Sequence, residues 1–140
     1  MKRILLIDDD MDDLGLFGEA LRQIDASILF NYYINGGDAL EELADKKMAT
    51  PDLIFLDINM PAISGWQCLE AFKKETHLKD VPVLMYTTSS QAREIEMAKA
   101  LGASGFITKP DDFNLLKKML VAILGAHPEN LAQTLETISR

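Results

Sequence analysis

The stretch Leu53–Pro61, LIFLDINMP, decides the fold of this chain. A short, continuous apolar run such as its first four residues is typical of a strand buried on both faces of a parallel sheet. Pro61 restricts the residue before it to extended backbone, so the chain should leave this strand as a loop. Sites in open parallel sheets lie beyond the carboxyl ends of the strands. Asp57, which ends the apolar run, therefore stands where chemistry is expected.

Strand and helix patterns alternate five times along the chain, which predicts right-handed crossovers and a parallel sheet covered by helices on both faces. The expected fold class is thus α/β, a doubly wound sheet of five strands. The predicted strands are Arg3–Ile7, Ser27–Ile34, Pro51–Asp57, Val83–Tyr86 and Gly105–Thr108.

The helix ends are predicted from capping residues. Asp12 or Asp13 should cap the first helix, Asp38 the second and Asp112 the fifth, because short polar side chains accept hydrogen bonds from free helical N–H groups. The fourth helix is predicted over Gln91–Leu101, with a glycine following it in the C′ position.

A sixth helix is expected to open at Pro128. Its apolar stripe, Leu131, Leu135 and Ile138, either packs back on the domain or contacts a partner or a second copy, as in a homodimer. The expected division is a domain over residues 1–124 and a C-terminal helical extension over 125–140.

Composition narrows the class of protein further. A length of 140 residues suits one domain. The formal net charge of −8 argues against nucleic acid as a direct partner, because phosphate binding needs clustered Lys and Arg. The one cysteine, Cys68, excludes an internal disulfide and is expected to be buried. No apolar run approaches the about 20 residues of a membrane span, so a soluble cytoplasmic protein is the default expectation.

Polar residues of complementary chemistry follow four of the predicted strands: Asp8-Asp9-Asp10, Asp57, Thr87-Thr88 and Lys109. If these strands are neighbours, their carboxylates crowd one edge of the sheet and need a cation or raised pKa values. Oxygen ligands without a nearby His or Cys favour a hard ion such as Mg²⁺. A lysine and a threonine can bind an anion, so these groups together would hold a phosphoryl group on or beside Asp57.

These residues resemble the receiver domain of two-component response regulators, from Lys2 to about Leu124. Any one motif is weak, but four in this order are specific. They are Ile7-Asp8-Asp9-Asp10, Leu56-Asp57-Ile58-Asn59-Met60-Pro61 with Gly65, Tyr86-Thr87-Thr88, and the run from Gly102 to Pro110.

The resemblance implies a flavodoxin-like sheet of order 2-1-3-4-5 and a Mg²⁺ site. It implies that Asp57 is the phosphoacceptor and that Mg²⁺ is held by Asp8, Asp9, Asp57 and the backbone carbonyl of Asn59. Asp9 is favoured as a direct ligand, and Asp8 as a ligand through water.

The resemblance also assigns the remaining site residues. Thr87 would bond one phosphoryl oxygen and Lys109 would pair with another. Phe106 stands at the switch position, where an aromatic ring turns inward when the threonine moves. The Lys109–Pro110 bond is often cis in such domains.

The function that this resemblance implies is signalling rather than enzymatic turnover. A histidine kinase or a phosphotransfer protein would supply the phosphoryl group, self-dephosphorylation would be slow, and an unidentified downstream protein would read the switched face. Because the sequence shows no effector domain after Leu124, we expect a stand-alone regulator that acts through another protein or passes the group on in a phosphorelay.

Two alternative functions would share part of this pattern. A haloacid-dehalogenase-like phosphatase would also have Asp57 after a strand, but it needs a second aspartate where this chain has Asn59, which cannot serve as general acid. A flavodoxin-like nucleotide or FMN binder would need a Gly-rich loop after the first strand, where this chain has repelling aspartates.

Overall fold

The computed structural model describes residues 2–45, 48–89 and 91–126, over which five strands and five helices alternate. The predicted sixth helix, from Pro128 onward, lies outside these residues. The strands are β1 (Arg3–Ile7), β2 (Leu29–Tyr33), β3 (Leu53–Leu56), β4 (Val83–Thr87) and β5 (Gly105–Thr108). The helices are α1 (Met11–Ile24), α2 (Gly36–Ala44), α3 (Gly65–Lys74), α4 (Ala92–Ala100) and α5 (Phe113–Gly125).

The five strands form one parallel sheet in the order β2-β1-β3-β4-β5, which confirms the predicted topology. β1 and β3 pair through Ile7 and Leu56, and the next amide, that of Asp57, donates to the carbonyl of Ile7 at 2.9 Å. Because all strands run the same way, the residues that follow β1, β3, β4 and β5 meet at one edge.

Helices cover both faces of the sheet. On the face of α1 and α5, Phe17 packs with ring centroids 4.8 Å from Phe55 and 5.6 Å from Tyr86. On the opposite face, buried residues of α2, α3 and α4 pack on the strands, among them Cys68, which is buried as predicted. The central strands are therefore buried on both sides, which explains why their sequences are continuously apolar. No helix in the described ranges has both the length and the apolar character to cross a membrane.

Two of the predicted caps are wrong. The cap of α1 is Asp10, whose extended backbone places Oδ1 2.9 Å from the amide of Asp12 and 3.1 Å from that of Asp13. The cap of α2 is Asn35, whose side chain accepts from the amide of Asp38 at 2.8 Å. In both cases the sequence offers several capping side chains within a few residues, and the one with extended backbone takes the role.

The predicted caps and ends of α4 and α5 agree more closely with the structure. Asp112 caps α5, as predicted. α4 is one residue shorter at each end than predicted, with Leu101 as its C-cap. Gly102 then takes the left-handed backbone of the C′ position, with φ of 95°. The Lys109–Pro110 bond is trans, unlike the cis bond common in the resembling domains.

β2 begins two residues later than predicted. Asp25 accepts hydrogen bonds from the amide and the hydroxyl of Ser27, at 2.9 and 2.7 Å, and so holds this residue in a turn. β2 is also the edge of the sheet, and none of its five residues is fully buried.

Candidate functional site

The carboxylates of Asp8, Asp9 and Asp57 meet at the carboxyl edge of the sheet. One oxygen from each lies within 4.8 Å of the other two. Asp8 is fully buried and Asp57 is 5% exposed, whereas Asp9 is exposed. The resemblance implied that β1 and β3 are neighbours, and in the structure these three carboxylates lie together.

Asp8 is held by the backbone that surrounds it. Its amide donates to the carbonyl of Tyr33 at 3.1 Å, and its Oδ1 accepts from the amide of Asp10 at 2.9 Å. Its Oδ2 finds no well-aligned donor among the described residues, although the ammonium of Lys109 lies 2.8 Å away as an ion pair. A buried carboxylate oxygen with so little hydrogen bonding is a ready ligand for a cation or for a water bound to one.

Asp57 is fixed by the close approach of α3. Its Oδ1 lies 3.4 Å from the amide of Asn59, a long hydrogen bond. Gly65 begins α3 so near the end of β3 that a Cβ there would lie 2.8 Å from Cα of Ile58 and closer still to the carbonyl of Asp57. Ser64 caps the helix in a reciprocal capping box. The glycine in the sequence motif is thus required by packing beneath the aspartate.

Lys109 crosses the site from the end of β5, and its ammonium is surrounded by carboxylates. Nζ lies 2.7 Å from Asp13, 2.8 Å from Asp8 and 3.8 Å from Asp57. Its side chain is only 9% exposed, and its amide donates to the carbonyl of Thr87 at 2.7 Å. The lysine therefore lies among the carboxylates at this edge of the sheet.

Asp13 is the site residue that the sequence reasoning missed. It was assigned only to the start of the first helix, yet it is the closest carboxylate to Lys109. The two residues are 96 positions apart, so no local pattern connects them. The available signal was topological: the start of α1 and the end of β5 both lie at the carboxyl edge of the sheet.

Burial and like charge shift the acid–base properties of the site. Burial, with the neighbouring Asp8 charge, raises the pKa of Asp57 to about 6. Burial also raises the pKa of Asp8, with Lys109 opposing the shift. Burial alone would lower the pKa of Lys109, but its contacts with Asp13 and Asp8 raise the pKa above its ordinary value. The lysine therefore remains charged, and the carboxylates have more negative charge than one ammonium can neutralise.

The remaining predicted residues lie on β4, on β5 and in the loop after Asp57. Thr87 is fully buried at the end of β4, and the amide of Ser89 lies 3.5 Å from its hydroxyl. The hydroxyl of Ser89 in turn bonds Glu94 at the start of α4. Phe106 is half-buried on β5 and packs against the apolar cluster on the α2–α3–α4 face. Asn59 is exposed in the loop after Asp57.

The donor set fits a hard divalent cation. It consists of carboxylate oxygens from Asp8, Asp9 and Asp57, with no sulfur or imidazole in the described cluster. Such oxygen ligands suit Mg²⁺ or Mn²⁺ better than zinc or copper. Together with an ammonium and a hydroxyl, this arrangement can bind a divalent cation and a phosphoryl group side by side.

Comparison with known proteins identifies relatives with the same arrangement of strands. Residues 4–121 match the family model described as "Response regulator receiver domain". The chain is 31% identical over 124 residues to Protein PilH of Pseudomonas aeruginosa, a match that covers 89% of this chain and 98% of PilH. The family match gives no support to the phosphatase alternative.

Two solved structures are also similar. The Mn(2+)-bound form of response regulator Rcp1 has a TM-score of 0.82 at 25% identity, covering 91% of this chain and 97% of that one. The phosphorylated cyanobacterial phytochrome response regulator RcpA has a TM-score of 0.78 at 29% identity, covering 89% and 94%.

Proposed function

The chain belongs to the response regulator receiver domain family, and from this membership we propose that Asp57 accepts a phosphoryl group from a phosphohistidine of a sensor kinase or a phosphotransfer protein. One observation carries the proposal. The Asp57 carboxylate lies beside the Asp8 and Asp9 carboxylates, which suit a cation, and 3.8 Å from the ammonium of Lys109. A phosphoryl group on Asp57 would thus be close to both a bound cation and an ammonium.

The proposed metal is Mg²⁺, bound by Asp8, Asp9, Asp57 and the backbone carbonyl of Asn59. The buried Asp8, with a poorly hydrogen-bonded oxygen, and the exposed Asp9, open to solvent, suit a water-mediated and a direct ligand respectively. A solved relative, Rcp1, is described as Mn(2+)-bound, which supports a divalent cation at this site. When bound, the cation would neutralise phosphoryl oxygens during transfer.

In the proposed transfer, an Asp57 oxygen forms a bond to phosphorus as the bond from phosphorus to the donor histidine nitrogen breaks. The electron pair returns to that nitrogen, so the imidazole is regenerated. Lys109 would stabilise charge on one phosphoryl oxygen and Thr87 would donate a hydrogen bond to another. Catalysis of this kind needs alignment and charge neutralisation more than covalent participation. Water attacking the same phosphorus would give slow self-dephosphorylation.

The proposed output is a change in a protein-binding face. Movement of Thr87 toward the phosphoryl group would open space into which Phe106 can turn, because both residues lie on neighbouring strands that pair Met85 with Phe106 and Thr87 with Thr108. The affected face is formed by α4, β5 and α5. Phenylalanine has no hydroxyl, so this switch would act through packing alone.

This face would be read by a downstream protein in the cytoplasm rather than by nucleic acid. We assign the receiver to residues 1–124, consistent with the family match over 4–121, and the C-terminal extension to 125–140. A second copy of the chain is a further candidate partner.

The test is intact mass after incubation with acetyl phosphate, with Mg²⁺ or with excess EDTA. The wild type should gain about 80 Da, the mass of one phosphoryl group, only with Mg²⁺. Asp57→Asn should gain nothing, whereas Asp52→Asn, on the opposite edge of the sheet before β3, should behave as the wild type. If wild type that binds Mg²⁺ gains no mass from acetyl phosphate or from any phosphorylated donor, the role of Asp57 is wrong.

A further inference from the structure

Lys109 is closer to Asp13 than to the carboxylate it is proposed to assist. Its ammonium lies 2.7 Å from Asp13 and 3.8 Å from Asp57. A charge-assisted hydrogen bond has the first distance, and the second is beyond one. In this state the amine is bonded to Asp13 of α1 and paired with Asp8 at 2.8 Å, so its charge is already shared with two carboxylates before a phosphoryl oxygen arrives.

The position of Asp13 is fixed by the start of its helix. Asp10 caps α1 and accepts a hydrogen bond from the amide of Asp13 at 3.1 Å, which sets the direction in which the third helical residue projects. The ring of Tyr86 also lies near the ammonium, with its centroid 5.5 Å away. The side chain of Lys109 is almost fully buried.

We propose that Asp13 is a positioning residue that competes with the phosphoryl group for Lys109, and so weakens the binding of a tetrahedral anion at Asp57. This inference rests on the proposed function. It concerns a residue on α1 that lies outside the Asp8, Asp9, Asp57, Thr87 and Lys109 set.

The physical argument follows from sharing one positive charge. A phosphoryl group brings about −1.5 to −2 of charge and three acceptor oxygens to the site. Asp13, 2.7 Å from the ammonium, draws on the same positive charge and repels the arriving anion, so its presence subtracts from anion binding. A ligand's affinity falls by whatever free energy the protein must give up to bind it. Asp13 is 29% exposed at the side chain, so solvent weakens the pair without abolishing it.

The simpler interpretation is that Asp13 only favours the start of a helix, as an acidic residue in a first turn does. Asp12 has the same role, the same charge and the adjacent position in α1, and it is not among the partners of Lys109 in the described structure. The two interpretations therefore differ in one respect. A helix-start effect is shared by Asp12 and Asp13, whereas competition for Lys109 belongs to Asp13.

The experiment compares Asp13→Asn, Asp12→Asn and the wild type in the full chain, with beryllofluoride as the phosphoryl mimic. Binding is measured by fluorine NMR at saturating Mg²⁺, and Mg²⁺ affinity is measured separately. We expect Asp13→Asn to bind beryllofluoride about threefold to tenfold more tightly than Asp12→Asn, equivalent to about 0.6–1.4 kcal/mol. Mg²⁺ affinity should not rise in either variant, because removing a negative charge does not strengthen cation binding. Asp13→Glu, which keeps the carboxylate, should return the affinity toward that of the wild type.

The outcomes separate this inference from the function on which it rests. Equal beryllofluoride affinity in Asp13→Asn and Asp12→Asn overturns the competition and leaves the phosphoacceptor proposal intact. Weaker binding in Asp13→Asn overturns it too, since Asp13 would then help to place the amine. A wild type that takes up no beryllofluoride at all overturns both proposals.

Discussion

Replacing Asp57 with asparagine should stabilise the metal-free protein. The substitution keeps the size of the side chain and removes one negative charge from a site where burial and Asp8 raise the pKa to about 6. A carboxyl group with a raised folded-state pKa binds its proton more tightly when folded than when unfolded. The folded state therefore loses stability as the pH rises from about 4 to about 6, and the full cost is present above that range.

The size of the effect follows from the pKa. A rise from 3.8 to about 6, at about 1.4 kcal/mol per pH unit, corresponds to about 3 kcal/mol of destabilisation at neutral pH. The attraction of Lys109 is already included, since it opposes the shift. We therefore expect the free energy of unfolding of Asp57→Asn to exceed that of the wild type by about 2–3 kcal/mol at pH 7.5.

The assay is urea unfolding followed by far-ultraviolet circular dichroism, in EDTA, at several pH values between 4 and 8. The advantage of Asp57→Asn should shrink as the pH falls and become small near pH 4. Glu70→Gln is the matched control, because it removes the same charge from an exposed position in the middle of α3 and should change stability little at any pH.

Adding Mg²⁺ provides the second half of the test. A ligand at 100 times its dissociation constant stabilises a protein by about 2.7 kcal/mol, and the wild type offers one more carboxylate to the metal than the variant does. Saturating Mg²⁺ should therefore narrow or reverse the difference in the free energy of unfolding between Asp57→Asn and the wild type. If Asp57→Asn is no more stable than the wild type at pH 7.5 in EDTA, burial and the Asp8 charge do not destabilise the ionised Asp57 carboxylate as described, and the reasoning is refuted.

Three further predictions concern single residues. Gly65→Ala should lower the free energy of unfolding by about 2 kcal/mol, because the added Cβ would collide with the backbone after β3. Gly15→Ala, where a Cβ has open space, should raise the free energy of unfolding by about 0.5–1 kcal/mol. Equal effects of the two substitutions in urea unfolding would contradict the packing argument. Because Asp9 is exposed, the free energy of unfolding of metal-free Asp9→Asn should lie within about 0.5 kcal/mol of the wild-type value. Mg²⁺ should raise the Tm of this variant less than it raises the Tm of the wild type. An equal rise in Tm would exclude Asp9 as a ligand. Cys68 is buried and burial raises its pKa to about 11, so at pH 8 it should react with DTNB only as fast as the protein opens, and rapid labelling of native protein would disprove this.

Much of the fold was predictable because the signals are local and repeated. The apolar runs that end in Asp8 and Asp57 are typical of buried parallel strands, and the strand order implied by the family resemblance then placed their carboxylates side by side. The start of β2 was predicted two residues too early. β2 is a partly exposed edge strand, so its burial pattern marks its ends poorly, and the turn at Ser27 depends on a side-chain contact with Asp25. Such contacts are not visible in hydrophobic periodicity.

The part of the site that could not be predicted depends on the rotation of a helix about its axis. Three aspartates stand at positions 10, 12 and 13, and each is a good capping residue. Which of them caps decides which carboxylate faces the sheet edge. Once Asp10 takes the cap, Asp13 turns toward Lys109, a residue 96 positions away. The sequence shows both residues, but it does not show the rotation of α1 that brings them into contact.

The groups at the carboxyl edge come from strands that span nearly the whole chain, from Asp8 after β1 to Lys109 after β5. A chain divided in the connection between α4 and β5 would therefore separate Asp57, the proposed acceptor, and its acidic neighbours from the ammonium of Lys109. Neither piece alone would hold both charges, and the proposed site would return only when β5 pairs again with β4 through residues 105–108. Two-fragment versions of this protein would thus report their own reassembly by recovering anion binding, which makes the α4–β5 connection a natural place to build a split sensor.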